Sequence, residues 1–168
     1  MALGGAAPLE VNLGRLVRPP VAEDPLVRAA ELLVRTSCVG EALTVPILKT
    51  TRARSSSPLV KSVVARIVRD ESQHAELGPW FLDWAAPRLS DADRAHLGRI
   101  AGGALRAFAP LFSAACAGDP ELGVLDCASY DAVFADAVAR RVVAPLRDRG
   151  IDVPVEDLQT LPVAGPHR

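Results

Sequence analysis

The sequence predicts an all-α protein, from its apolar composition, the helical spacing of its apolar residues and its proline punctuation. Hydrophobic residues make up 49% of the 168 residues but aromatic residues only 4%, so Leu, Val, Ile and Ala must build the core. That composition suits packed helices better than a sandwich of short strands. The 14 prolines and 12 glycines predict sharp breaks between elements. No long alternating stretch requires a strand.

The starts of the first two helices are predicted by the same signal. Asp24-Pro25 and Ser57-Pro58 each place an N-cap residue before a proline at the first helical position. Apolar residues then recur at helical spacing to about residue 50 and about residue 86. The polar stretch at 51–57 predicts the turn between these helices, and Pro87 predicts the end of the second.

Two more helices are predicted after residue 90. Ser90 and Asp93 resemble a capping box, which predicts a third helix over 92–117. Residues 118–128 are predicted to be a loop, and Ser129 to cap a fourth helix that ends near residue 147. The short connections favour an antiparallel bundle of about four helices. Prolines inside the apolar patterns predict kinks at Pro46, Pro79 and Pro110.

These elements predict one helical domain at residues 24–150, composed of a hairpin at 24–86 and supporting helices at 90–147. Residues 1–23 are predicted to be a flexible tail, and 151–168 a Pro-rich tail. The net charge of −1 gives no basic excess for binding nucleic acid. No apolar run approaches the roughly 20 residues that span a bilayer, so no membrane partner is expected.

The N-terminus lacks a basic region followed by an apolar stretch, so no secretory signal is predicted. The three cysteines, Cys38, Cys116 and Cys127, form no CxxC pair, and their odd number predicts buried thiols in a reducing compartment. The cytoplasm is therefore the expected location.

The pattern with chemical content is Glu71-x-x-His74, which lies on or beside the apolar stripe of the second helix. A carboxylate and an imidazole on a packing face need partners, and the i, i+3 spacing lets both reach one metal ion. Glu41 lies as far before the turn near Ser56 as Glu71 lies after it. In an antiparallel hairpin such residues share one height, so Glu41, Glu71 and His74 are predicted to converge as metal ligands.

Other polar residues nearby have more ordinary interpretations. Asp70 either orients His74 or, as we favour, forms a solvated ion pair. Glu76 and His96 are predicted to face solvent. Cys38 lies one turn from Glu41 and is predicted to be a small buried hydrophobe rather than a ligand.

Two stretches, Cys38-Val-Gly-Glu-Ala-Leu and Ala65-Arg-Ile-Val-Arg-Asp-Glu-Ser-Gln-His-Ala-Glu-Leu, resemble the ferritin-like superfamily, especially rubrerythrin-related bacterial proteins. The resemblance covers about residues 26–84 and extends more weakly to 130–146. It implies a four-helix bundle in which each half supplies one Glu and one Glu-x-x-His to a di-metal site. It thus implies the same ligands, Glu41, Glu71 and His74, and iron, with manganese or zinc as alternatives.

This chain departs from the family pattern because it carries only one Glu and one Glu-x-x-His. The predicted third and fourth helices contain no glutamate. Three hypotheses follow. A homodimer or a partner chain completes a di-iron or di-manganese site that oxidises Fe(II) or activates oxygen, which would make the protein a di-metal oxidoreductase. Alternatively, the half-site holds one metal alone, or a zinc ion with water. In the third, the protein is a degenerate ferritin-like scaffold or interaction protein without metal or catalysis.

Overall fold

Four long helices account for most of the described chain, residues 21–113 and 117–154, in the computed structural model. The first runs without a break through α1 (Pro25–Leu33), a π-helical segment π1 (Val34–Glu41) and α2 (Ala42–Arg54). The second is α3 (Pro58–Ala85), followed by a 3₁₀ turn (Ala86–Arg88), and the third is α4 (Asp91–Ser113). The fourth comprises α5 (Cys127–Ala137), a π-helical segment π2 (Val138–Val143) and α6 (Ala144–Arg147). The prediction of an all-α helical bundle is confirmed.

Side-chain caps fix the starts of the first three helices where the sequence predicts them. The Asp24 carboxylate accepts hydrogen bonds from the N–H groups of Leu26 and Val27. The Ser57 hydroxyl accepts one from the N–H of Val60. Such caps satisfy backbone donors that have no partner within the helix.

A capping box opens α4. Asp93 accepts from the Ser90 N–H, and Ser90 accepts from the Asp93 N–H. At the far end of the chain, Gly150 has a φ of 71° and ends α6 in a Schellman motif, with Ile151 N–H bonded to the Leu146 carbonyl. The sequence predicts both features.

The connections differ from the predictions in three places. The first helix continues to Arg54, so only residues 55–57 form the turn before α3. Residues predicted to be a loop form a two-stranded antiparallel hairpin, β1 (Ala117–Asp119) and β2 (Val124–Asp126). The fourth helix begins at Cys127 and is capped by Asp126, not Ser129. Sequence patterns miss a hairpin of three-residue strands because alternation needs a longer run to show.

Pro46, Pro79 and Pro110 all lie inside helices, as predicted. The first helix departs from α geometry just before Pro46, in π1. There the N–H of Ala42 bonds to the Ser37 carbonyl, which is the i→i−5 pattern of a π-helix. Pro46 cannot donate a hydrogen bond to the carbonyl of residue 42, so the α-helical ladder is already incomplete at this point.

The main aliphatic core joins the four helices, and a smaller cluster forms around Leu125 and Tyr130. The largest fully buried aliphatic side chains of the main core are Leu43, Leu82, Leu97, Leu105, Leu146, Ile151, Val34, Val39 and Val142. Ile151 and Val153 are buried although they follow the last helix. Gly98 and Gly102 of α4 let this segment approach, because a Cβ at either would press on Asp152 or Pro154. The core thus includes the first residues of the segment that the sequence assigns to a tail.

The described cysteines differ from each other. Cys38 is a free, buried thiol, and its burial raises its pKa to about 12. Cys127 is disulfide-bonded, contrary to the expectation of reduced thiols on which the cytoplasmic location rested. Across residues 21–113 and 117–154, none of the helices combines the length and the apolar character needed to cross a membrane.

Candidate metal centre

Three side chains from the first two helices meet at one point between them. One ligand atom each of Glu41, Glu71 and His74 can be chosen so that all three lie within 4.8 Å of one another. These are the three residues that the sequence predicts as ligands. Two carboxylates and an imidazole at this spacing form a donor set suited to a divalent transition metal.

The hairpin and the π-helical segment together position the set. The turn at residues 55–57 pairs α2 and π1 with α3, which places Glu41 opposite Glu71. Glu41 is the last residue of π1, and π-helical turns are rare and often occur at functional sites. Glu71 and His74 are one turn apart on α3, so both reach the same gap.

The Glu71–His74 pair lies at the edge of the bundle. His74 Nδ1 is 3.0 Å from Glu71 Oε2. The Glu71 side chain is 30% exposed and that of His74 is 63% exposed. Nδ1 is therefore the ring nitrogen that faces the carboxylates, and solvent or a ligand can enter from the side of the imidazole.

The two carboxylates interact unfavourably when both are charged. Burial, the negative charge of Glu71 and a hydrogen bond with Glu71 all raise the pKa of Glu41. A raised acid pKa means that the ionised pair is costly, and carboxylates this close tend to share a proton. A bound cation would replace that proton and remove the repulsion.

The pKa of the imidazole is raised as well, which favours its charged form rather than its neutral one. The hydrogen bond to Glu71 raises the pKa of His74, with further contributions from the charges of Glu71, Glu41 and Asp70. The site thus favours positive charge at the point where its three side chains meet. The residues present fit a divalent cation, which would be held by two carboxylates and one imidazole nitrogen.

A serine of π1 forms hydrogen bonds with the backbone of α3 next to His74. The Ser37 hydroxyl donates to the His74 carbonyl, with an O–O distance of 2.6 Å, and accepts from the Gly78 N–H at 2.7 Å. It thus bridges the two backbone groups that an α-helix pairs directly, one residue before Pro79. Ser37 is 3% exposed, so this bridge is sealed from water.

Gly78 makes the bridge possible. A Cβ on Gly78 would lie 2.9 Å from Ser37 Oγ and closer still to Cys38 Sγ. The glycine therefore lets π1 approach the backbone of α3 one turn beyond His74. Cys38 packs at this contact and is not among the converging ligands, as its predicted hydrophobic role requires.

Two neighbours of the site behave as predicted. Asp70 forms an exposed ion pair with Arg66, with an N–O distance of 3.6 Å, as in the interpretation we favour from sequence. Glu76 is exposed. Among the residues of α3, the metal-ligand arrangement is thus restricted to Glu71 and His74.

A second carboxylate–imidazole pair lies elsewhere in the bundle, and the sequence analysis missed it. Glu31 is fully buried. Its carboxylate oxygens accept hydrogen bonds from the N–H groups of Val21 and Ala22, with N–O distances of 2.7 and 2.9 Å. His96 Nε2 lies 2.6 Å from Glu31 Oε1, and its side chain is 28% exposed. The prediction that His96 faces solvent is therefore wrong. Glu31 follows Val27 by one turn on the apolar stripe, and this signal could have identified it as a buried carboxylate.

Comparisons of the chain with protein-family models, with curated proteins and with solved structures give no match. The likeness to ferritin-like proteins accordingly rests on the residues quoted above and stays a prediction.

Proposed function

We propose that the protein binds a divalent transition metal through Glu41, Glu71 and His74. The observation that carries this proposal is the convergence of these three side chains at the edge of the hairpin, where burial and the charge of Glu71 raise the pKa of Glu41. A carboxylate pair that is costly without a cation, next to an accessible imidazole, has the electrostatics of a metal site rather than of a structural network.

The proposed metal is iron, with manganese or zinc as alternatives, because two carboxylates and one imidazole suit all three. The set equals half of a ferritin-like di-metal site, and a homodimer or a partner chain would supply the other half. An oxidoreductase activity such as Fe(II) oxidation or oxygen activation follows only for the completed site. A metal there would supply Lewis acidity and, for iron or manganese, one-electron redox chemistry.

The residues of the site would have different roles in holding the metal. Glu71 lies between the other two ligands and can bridge or chelate, since its Oε2 already contacts His74 Nδ1. Ser37 fixes the backbone carbonyl of His74 and so limits the freedom of the ligand turn. A second candidate, a degenerate scaffold without metal, is favoured by the exposed apolar residues of α3, which suit an interaction surface.

Native mass spectrometry combined with elemental analysis of the full chain tests the proposal. We expect about one iron or manganese per chain, the stoichiometry of a half-site, and loss of that metal in Glu71→Ala. Glu121→Ala is the matched control, because Glu121 is an exposed glutamate in the β1–β2 hairpin, outside α3. Metal retained in full by Glu71→Ala, or no metal in the wild-type protein after reconstitution, would leave the scaffold as the better account.

A further inference from the structure

Helix α3 carries an exposed apolar stripe beside the candidate metal centre. Its members are Leu59, Val63, Ile67, Leu77, Trp80 and Trp84. They are exposed by 38% (Ile67) to 73% (Leu59), which is unusual for six large apolar side chains on one helix. The stripe passes the exposed side of His74, between Ile67 and Leu77, so whatever covers the stripe also closes the metal site.

The order of these residues along α3 is symmetric. The helix has 28 residues, Pro58–Ala85, and its midpoint falls between Glu71 and Ser72. Leu59 and Trp84 are equidistant from that midpoint, and so are Val63 and Trp80. The distances of Ile67 and Leu77 from the midpoint differ by a single residue. A two-fold axis through the midpoint would therefore place apolar residues opposite apolar residues toward both ends of the helix, with the exposed Arg66 and Asp70 in the stretch between them.

The exposed charges at the flank of the stripe fit the same symmetry. Arg69 lies before the midpoint and Glu76 after it, and both side chains are exposed. In an antiparallel pair of α3 helices, Arg69 of each copy would lie within reach of Glu76 of the other. Opposite charges in these positions favour the antiparallel self-pairing.

We propose that a second copy of this chain docks on the α3 stripe, antiparallel and about a two-fold axis near Glu71, and that this closes two Glu41–Glu71–His74 sets against each other. The metal-linked part of this inference rests on the proposed function. Helices packed in this way have axes about 8–10 Å apart, which brings the two sets to either side of the axis. The occupant is another copy because the pattern of the stripe is complementary to itself.

Metal and dimer should then stabilise each other. Without a cation, the dimer gathers Glu41, Glu71 and Asp70 of both copies near the axis, and their charges repel. A cation that binds the closed sets removes this repulsion and so raises the affinity of the dimer. By linkage, dimerisation raises the affinity for the metal by the same factor.

Sedimentation velocity of the full chain, metal-free and with one equivalent of Mn(II), tests the inference. We expect a dimer whose dissociation constant falls at least about tenfold with Mn(II). Val63→Glu should raise the dissociation constant by about 100-fold or more, since it buries a charge on both sides of the axis. Leu122→Glu is the control, because Leu122 is also an exposed apolar residue, more exposed than Val63, but lies in the β1–β2 hairpin. Both sites are exposed, so neither variant should impair folding, and circular dichroism verifies this.

Charge reversal makes the test specific for the antiparallel pairing. Arg69→Glu and Glu76→Arg should each weaken the dimer, and the double variant should restore it. A wild-type chain that is monomeric at about 100 μM with and without Mn(II) would overturn the inference, since specific dimers bind far more tightly than that. Equal dimer dissociation constants for the Val63→Glu and Leu122→Glu variants would also overturn it. So would an Arg69→Glu, Glu76→Arg double variant whose dimer is as weak as those of the single variants. Mn(II) bound by a strict monomer overturns the dimer but keeps the metal site, whereas a dimer that ignores metal keeps the interface and removes the metal-linked part.

Discussion

Two carboxylate–imidazole pairs lie within the described residues, and they differ in burial and in the balance of donors and acceptors around the carboxylate. Glu31 is fully buried, and its oxygens accept from His96 and from two backbone N–H groups. Glu71 is partly exposed, and its neighbours are His74 and a second carboxylate, Glu41. The first pair is saturated with donors, while the second has an excess of acceptors.

The protonation behaviour of the two sites follows from this difference. Burial alone would raise the pKa of Glu31, but the hydrogen bonds from His96, Val21 and Ala22 outweigh it and leave the pKa below its usual value. At the other site burial and the charge of Glu71 raise the pKa of Glu41 with no comparable set of donors to offset them. A buried carboxylate is therefore not by itself a functional signal, whereas a carboxylate that lacks donors is one.

Removing the saturated carboxylate should have the largest effect on stability. Glu31→Ala leaves two N–H groups and His96 without their acceptor in the bundle interior, so we expect a loss of about 3–5 kcal/mol in the free energy of unfolding. Urea denaturation measures it. Metal affinity of the folded variant should be unchanged, and a loss of less than about 1 kcal/mol would show that the network is not structural.

Removing a carboxylate from the Glu41–Glu71–His74 site should lower the metal affinity and leave the stability intact, the reverse of the result expected for Glu31. Glu41→Gln should weaken metal binding by at least about 100-fold, because a neutral amide replaces a charged ligand. The free energy of unfolding of the metal-free protein should not fall, since the substitution relieves repulsion with Glu71. Isothermal titration with Mn(II) measures the affinity, with Glu121→Gln in the β1–β2 hairpin as the matched exposed control. Equal affinities in the two variants would remove Glu41 from the ligand set.

The backbone support of His74 should have an intermediate effect. Ser37→Ala removes the bridge between the His74 carbonyl and the Gly78 N–H, so metal affinity should fall about 10-fold, the usual consequence of losing a group that orients a ligand. Thr44→Ala is the control, because the Thr44 hydroxyl donates to the Gly40 carbonyl of its own helix and does not bridge to α3 in the described structure. The same titration compares the two variants. If Ser37→Ala destabilises the fold but binds Mn(II) like the wild type, Ser37 supports packing and not the site.

The smallest expected effect is a pH dependence of opposite sign at the two sites in the metal-free protein. The lowered pKa of Glu31 gives stability that is present above its unfolded value near 4.5 and is lost as the pH falls through the folded value. The raised pKa of Glu41 gives stability that is present below 4.5 and is lost as the pH rises through the folded value. We therefore measure the free energy of unfolding by urea denaturation between pH 3 and 7. As the pH rises, the wild type should become more stable relative to Glu31→Gln and less stable relative to Glu41→Gln. Parallel trends would contradict the comparison.

The two sites also show how far the sequence predicts this molecule. The convergence of Glu41, Glu71 and His74 follows from spacing alone, because the i, i+3 rule and the height rule of a hairpin depend only on regular helix geometry. Asp24, Ser57, Ser90 and Gly150 likewise act locally, and the structure places all four where the sequence predicts them.

Long-range pairs could not be read from spacing. Glu31 meets His96, a residue of another helix and 65 positions later in the chain. Ser37 meets the backbone of α3 because Gly78 leaves room for it. Such contacts depend on helix packing, which local patterns do not specify. The β1–β2 hairpin was missed for another reason, since its strands are too short to show alternation.

Crystals of the protein soaked with Zn(II), a redox-inert substitute for iron, test the central claim most directly through anomalous scattering at the zinc edge. The account predicts one strong peak at about 2.0–2.2 Å from oxygens of Glu41 and Glu71 and from Nδ1 of His74. It predicts no peak at Glu31 and His96, whose acceptors are already saturated. A peak at Glu31, or none at Glu71 in a well-ordered crystal, would contradict it.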